Sequence, residues 1–177
     1  IAQSPVVDTA ELDPAPTDLE LRRAADQLEL LINNTVVSTW FYESVGPLTI
    51  QGSVDNNRLL LNYAGGNPVP VAGLTYSGGD QLQTGGDSLE FSNGSATEIA
   101  HRFVDANSGL VEVDSFSINY DGLESILDTL TADTRVFEFA STDDVVTVAD
   151  DGNIFNGIAR ISSAGTSVSV DFAIPAN

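Results

Sequence analysis

The chain of 177 residues carries 26 acidic residues, six arginines, no lysine and one histidine, which gives a formal net charge of −20 at pH 7. This charge disfavours binding to nucleic acid or anionic lipid, because their phosphates would repel it. The absence of cysteine excludes a disulfide framework and a thiolate metal site. No apolar run reaches the roughly 18 residues of a membrane-spanning helix. A chain of this length with 42% hydrophobic residues can form one domain with a real core.

The first 16 residues differ in composition from the rest of the chain. They contain Pro5, Pro14 and Pro16 and show no hydrophobic period, which predicts an extended arm followed by one domain over residues 17–177. The arm cannot bury Val6 and Val7 within itself. We therefore expect the segment around Pro5, Val6 and Val7 to contact a neighbouring copy by adding a strand to its open sheet edge.

A helix is predicted directly after the arm, over about residues 18–34. Thr17 and Glu20 have the spacing of a capping box. Apolar residues then recur at helical spacing on one face, namely Leu21, Ala24, Ala25, Leu28, Leu31 and Ile32. Because this helix precedes all the predicted strands, its face, including Leu21 and Leu28, could be presented to neighbouring copies.

The rest of the chain is predicted to be mainly strands. Alternating apolar residues or flanking turn signals indicate strands at 48–54, 58–63, 110–118 and 167–174, and a hairpin joining 135–140 to 145–149. A phase shift between Val113 and Phe116 is typical of a β-bulge. Residues 97–106 follow a possible helix cap but fit a strand nearly as well, and we expect a strand, whereas 123–132, capped by Asp121, favour a short helix. The predicted fold is α+β and β-rich, with the N-terminal amphipathic helix packed on an antiparallel sheet or sandwich.

Three segments end in a similar way, with a tyrosine followed by a glycine turn. They begin at Leu61, Leu74 and Ile118 and place Tyr63, Tyr76 and Tyr120 just before the glycines. Their spacings of 13 and 44 residues are unequal, which argues against a solenoid or propeller period. Tyrosines packed over turns explain the similarity, and aromatic platforms for a glycan are the alternative.

Catalytic signatures are weak. His101 is the only histidine, and no Gly-x-Ser-x-Gly elbow, phosphate-binding loop or dinucleotide-binding motif accompanies it. A single histidine without cysteine cannot build a zinc site. We expect His101 to be a surface or partly packed residue and the protein not to be an enzyme, although a carboxylate pair or a Ser–His–Asp arrangement remains formally possible.

Two kinds of surface site are candidates. Asp150, Asp151 and Asn153 could supply oxygen ligands to calcium, although the segment does not match an EF-hand loop and solvated acidic turns are the alternative. No other cofactor is expected. Asn33 and Asn93 each begin an Asn-x-Ser/Thr sequon and are potential glycosylation sites in an exported protein.

The order of predicted elements resembles that of type IV pilins and minor pseudopilins. The stretch Leu19–Ile32 stands where the family has its N-terminal helix, and strands follow through Ile174. Within them, Glu98–Asp105 followed by Gly109–Val111 looks like the strand–turn–strand of the minor type. The resemblance implies a structural subunit of a surface appendage or secretion pseudopilus, without catalytic residues.

These observations lead to one expected function and one alternative. We expect a structural subunit of an extracellular or cell-surface filament, whose partners are copies of itself. Its dispersed acids suit salty surroundings, and its lack of cysteine and methionine suits long life outside a cell. The alternative is a monomeric secreted adhesin or glycan-binding module, stabilised by calcium in one version.

Overall fold

The computed structural model describes residues 4–9, 17–79, 84–140 and 143–174. These residues form 16 strands and two 3-10 helices of three residues each, Tyr42–Ser44 and Tyr63–Gly65. The strands are β1 Val6–Asp8, β2 Thr17–Ala24, β3 Gln27–Ile32, β4 Thr35–Phe41, β5 Leu48–Gln51, β6 Asn57–Asn62, β7 Leu74–Ser77, β8 Ser88–Ser92, β9 Ser95–Phe103, β10 Gly109–Val113, β11 Phe116–Asp121, β12 Ser125–Asp128, β13 Thr131–Glu138, β14 Val146–Asp150, β15 Ile158–Ser163 and β16 Ser169–Ala173.

The strands form two sheets that share one hydrophobic core. The seven-stranded sheet has the order β1-β5-β7-β11-β10-β9-β13, and the nine-stranded sheet has the order β14-β15-β16-β12-β8-β6-β2-β3-β4. The chain alternates between the sheets from β5 to β8 and again from β11 to β12. The strands that it adds in this way are parallel to their neighbours. In the centre of the molecule the chain therefore winds as a flattened coil that passes through both sheets. Each turn of this coil is a rung, and antiparallel hairpins are inserted between the rungs and at the ends of the coil.

Side chains at equivalent positions of the rungs stack in columns. In the seven-stranded sheet Leu48, Leu74 and Ile118 are in register and at most 1% exposed. The nine-stranded sheet has a column of five aliphatic residues, Leu19, Leu59, Leu89, Ile126 and Val170. Burial of each such side chain contributes about 1.5–3 kcal/mol. These columns hold the two sheets together.

A column of glycines lies where the rungs leave the seven-stranded sheet. A Cβ on Gly52 would lie 2.1 Å from the carbonyl oxygen of Gly78, and a Cβ on Gly78 would lie 2.4 Å from the carbonyl oxygen of Gly122. Only glycine fits at this spacing. The segments that start at Leu74 and Ile118 are similar because they occupy equivalent positions on neighbouring parallel strands. The spacings of 13 and 44 residues are unequal because Leu61 lies on β6 of the other sheet, and because the hairpin of β9 and β10 is inserted between Leu74 and Ile118.

The expectation of an α+β fold with an N-terminal helix is wrong. Residues 17–32 form the hairpin of β2 and β3, turning at Ala25, whose φ is 58°. Asn33 and Asn34 both have positive φ and form a second tight turn into β4. Leu19 and Leu21 alternate toward the core and are at most 1% exposed, so a period of two overrides the helical spacing.

Three further predictions need correction. Residues 123–132 are not a helix but contain β12 and the start of β13, with Leu123 and Leu130 fully buried. The strands at 135–140 and 145–149 do not form a hairpin, since β13 and β14 belong to different sheets. The phase shift before Phe116 is a two-residue turn at Asp114, whose φ is 57°, and not a bulge. The strands near 48–54, 58–63, 97–106 and 167–174 are confirmed.

Candidate functional site

The most unusual feature of the core is a pair of polar residues at apolar positions. His101 on β9 stacks between Val111 and Phe137 in the columns of the seven-stranded sheet. Asp128 on β12 takes the place that Phe91 has in the neighbouring rung of the nine-stranded sheet. Both side chains are completely buried. The two sheets thus bring a histidine and a carboxylate together inside the core.

Arg135 on β13 completes the cluster. Its Nε donates to Asp128 Oδ2 at 2.8 Å and its Nη2 donates to Oδ1 at 3.2 Å. His101 Nε2 lies 3.3 Å from Asp128 Oδ2, and the backbone N–H of Leu130 donates to Oδ1 at 3.1 Å. Arg135 Nη1 also donates to the carbonyl oxygen of Ala173 at 2.8 Å. The His101–Asp128–Arg135 cluster therefore connects strands of both sheets.

The electrostatics keep Asp128 ionised. Burial alone would raise the pKa of this carboxyl, but hydrogen bonds from His101 and Arg135 outweigh burial and hold the pKa below its ordinary value. His101 Nδ1 is buried and finds no hydrogen-bond partner among the described residues, and the ring stacks on Phe137 with centroids 5.2 Å apart.

The cluster contains the histidine and the carboxylate of a Ser–His–Asp triad, but neither group is accessible to a substrate. A general base must lie within hydrogen-bond reach of the proton that it removes, and His101 has no exposed surface. The expectation that His101 is a surface or partly packed residue is wrong. The alternation of Ile99, His101 and Phe103 within one strand was the signal that places the histidine on the inner face. The geometry is that of a buried polar cluster that links the two sheets.

The three tyrosines that could have formed glycan platforms are buried. Tyr63, Tyr76 and Tyr120 are 7%, 0% and 3% exposed. Burial raises the pKa of each phenol well above its ordinary value. Their rings pack in the core, as expected if the repeated Tyr–Gly segments place a tyrosine over a turn. No sugar can stack on them in this conformation.

The candidate calcium residues begin at Asp150, the last residue of β14, and continue with Asp151 and Asn153 into the turn before β15. Asp150 Oδ1 accepts from the N–H of Gly152 at 2.8 Å, and Asp151 Oδ1 accepts from the N–H of Asn153 at 3.0 Å. A hydrogen bond from Asn156 lowers the pKa of Asp151. Over the described ranges, no three His, Cys, Asp or Glu side chains converge as a metal-binding group. The calcium site stays a prediction, which a chelator-induced fall in melting temperature would support.

The residues proposed for assembly separate into two groups. Leu21 and Leu28 are fully buried between the sheets, so they cannot be presented to another copy in this fold. Val6 is 68% exposed on β1, whereas Val7 packs against the core. Residues 1–3 and 10–16 of the arm lie outside the described residues.

Both sequon asparagines are exposed in tight turns. Asn33 follows β3 with a φ of 48°, and Asn93 follows β8 with a φ of 62°. Asn33 Oδ1 accepts from the N–H of Asp18 at 3.2 Å, and Asn93 Nδ2 donates to Asn62 Oδ1 at 3.2 Å. Glycosylation at either position stays a prediction.

No family model, curated protein or solved structure matches the chain. The helical part of the resemblance to type IV pilins rested on Leu19–Ile32, and that segment is a β-hairpin. Among the residues that the structure describes, no helix has the length and hydropathy needed to span a bilayer.

Proposed function

We propose that the chain is a structural subunit of an extracellular filament and that its N-terminal arm joins one copy to the next. The observation that carries this proposal is the position of β1, which pairs in parallel with β5, the strand that would form the edge of the sheet without it. The N–H of Thr49 donates to the carbonyl oxygen of Pro5 at 3.0 Å, and the N–H of Thr9 donates to the carbonyl oxygen of Gln51 at 2.9 Å. Val7 packs against the core. The arm is thus a strand laid into an open edge.

An arm held in this way can be exchanged between copies. Main-chain hydrogen bonds provide most of the strength of strand addition, and they do not depend on which copy donates the strand. When each copy receives the arm of one neighbour and gives its own arm to another, the contact is head-to-tail and builds a filament unless it closes into a ring. Seven residues, 10–16, separate Thr9 from β2 and link the arm to the body of the molecule.

Composition supports an extracellular location. The absence of cysteine and methionine removes the side chains most easily oxidised outside the cell. A net charge of −20 keeps single copies apart at low ionic strength. Salt shortens the range of this repulsion to about 10 Å at 0.1 M. Filament growth should therefore require salt.

Engineered cysteines distinguish an arm bound to its own chain from an exchanged arm. Val6 and Thr49 are register partners, and the native chain has no cysteine that would confuse the result. In Val6→Cys/Thr49→Cys, oxidation in high salt should give a ladder of covalent oligomers on a non-reducing gel. A product that stays intramolecular at every salt and protein concentration would refute arm exchange.

The matched control is the pair Thr75→Cys/Asn119→Cys. These positions are register partners on the central strands β7 and β11 and lie in the same outward-facing column as Val6 and Thr49. Both belong to the body of the molecule, so their disulfide should form only within one chain. Oligomers in this control would indicate random collision.

A further inference from the structure

In the part of the chain that the structure describes, the two sheets have four edge strands, and three of them are protected against pairing. The edge strand β1 has only three residues, follows Pro5 and ends in Asp8. The edge strand β13 carries the acids Asp133 and Glu138. The edge strand β4 has a bulge, because Val37 is an extra residue between two register pairs. Short length, proline, charge and bulges are the means by which proteins protect sheet edges.

The fourth edge strand, β14, is the least protected, since its one charged residue is Asp150 at its end. It pairs with β15 on one side only, in regular antiparallel register, and all five of its residues are exposed. The segment Val145–Ala149 has no charge and no proline in a chain with 26 acids. Val145, Val146 and Val148 are 76%, 42% and 63% exposed.

On the face of the sheet that carries the core, the side chains of β14 lie past the edge of the other sheet's cover. Val146 and Val148 are register partners of Ser163 and Ile161, which are 4% and 6% exposed. Side chains at register partners share one face of a sheet. The two valines therefore continue the core face, but nothing in the described part of the chain covers them.

We propose that β14 pairs antiparallel with β14 of a second copy across a two-fold axis at Thr147. This register places Val146 against the second copy's Val148, so that the overhanging apolar faces of the two copies meet. Thr147 lies against its own equivalent, a favourable cross-strand pair. Because Val145–Ala149 is uncharged, two chains of −20 can come into contact along it. The contact is separate from the arm and needs no arm exchange.

Charge at the ends of the strand determines how this dimer responds to salt. The same register brings Asp144 of each copy opposite Asp150 of the other, and like charges opposite each other are destabilising. A single strand pair also buries less area than the roughly 1,200–2,000 Å² of a stable interface. We therefore expect a weak dimer that strengthens as salt increases.

Single cysteines test this contact directly. In Thr147→Cys the two-fold axis brings two cysteines together, and oxidation should give a covalent dimer about tenfold or more faster than in the control Val71→Cys. Val71 is a valine in a turn outside the strands and is 76% exposed. Raising the salt should increase the rate for Thr147→Cys more than for the control.

Two outcomes would overturn the proposal. One is equal oxidation rates for Thr147→Cys and Val71→Cys in high salt. The other is a Thr147→Cys chain that cross-links to Thr39→Cys on β4 but not to itself, which would make the contact head-to-tail. Because both variants keep the native arm, neither outcome bears on arm exchange. An absence of covalent oligomers from the Val6/Thr49 pair would not affect the β14 dimer.

Discussion

Replacing Asp128 by leucine tests the role of the buried cluster most sharply. The carboxylate accepts hydrogen bonds from Arg135, His101 and the N–H of Leu130, and the Arg135 side chain is only 5% exposed. In Asp128→Leu the guanidinium keeps two backbone carbonyl acceptors but loses its counter-charge. Breaking a buried ion pair by removing one partner costs about 3–5 kcal/mol. We expect a loss of this size in the free energy of unfolding.

The companion variant removes the whole cluster. Its three replacements are residues found in the same columns: His101→Val as in its register partner Val111, Arg135→Ile as in its register partner Ile99, and Asp128→Leu as in Leu61, one strand beyond Phe91. Replacing a buried ion-pair cluster by apolar residues of similar volume is often neutral or stabilising by about 1–4 kcal/mol. We therefore expect the triple variant to be at least as stable as the native chain.

Chemical denaturation monitored by Trp40 fluorescence measures both variants, provided that the slope with denaturant is unchanged. The control is Asp171→Leu, which removes an outward-facing carboxylate from its ion pair with Arg160. It should cost only about 0.2–1 kcal/mol. The reasoning is refuted if Asp128→Leu costs no more than this control, or if the triple variant is as unstable as Asp128→Leu alone.

Three further predictions follow from local geometry and charge. Ala25→Gly should raise the free energy of unfolding by about 0.5–1 kcal/mol, because glycine relieves the positive φ of the hairpin turn. In a helix the same change would lower it by about 1 kcal/mol. Gly52→Ala should cost about 3 kcal/mol, because its Cβ meets the backbone oxygen of Gly78. Gly165→Ala, in open space, should cost only about 1 kcal/mol from its positive φ. The third prediction concerns pH and uses Asp128→Asn. In the native fold the pKa of Asp128 lies below its ordinary value of 3.8. The ionised carboxylate therefore stabilises the fold fully above pH 3.8, and this stabilisation is lost as the pH falls through the native pKa. Melting temperatures measured below about pH 4 should fall less steeply in Asp128→Asn than in the native chain.

The sequence identified most strands but not how they are connected. Alternation at Leu48 and Ile50, and again at Val170 and Phe172, predicted strands that the structure confirms. Alternation shows which side chains point inward, but parallel and antiparallel neighbours leave the same pattern. The alternation pattern therefore could not predict that the chain crosses between two sheets.

The false helix arose from leucines whose spacing satisfies two periods. Leu21 and Leu28 fit one helical face, and Leu19 with Leu21 fits alternation equally well. Asn33 and Asn34 were a usable signal, since consecutive asparagines readily adopt the positive φ of a two-residue hairpin turn. Tertiary pairing decided between the periods, because β2 gains a parallel partner in β6.

The buried cluster was only partly accessible from sequence. Alternation from Ile99 to Phe103 places His101 inward. No spacing rule, however, connects His101 to Asp128 and Arg135, which lie 27 and 34 residues away and meet only when both sheets close. Two members of the glycine column, Gly78 and Gly122, were visible in the repeated Tyr–Gly endings, but Gly52 follows no tyrosine and the inserted hairpin made the spacing unequal.

Electron microscopy of the concentrated chain in high salt tests the central claim most directly, with the full chain compared with a variant lacking residues 1–9. We expect filaments from the full chain and none from the shortened chain, which lacks the strand that is exchanged. The shortened chain must keep a cooperative unfolding transition for the comparison to hold. Filaments that persist without the arm, or single particles from both chains, would contradict the account.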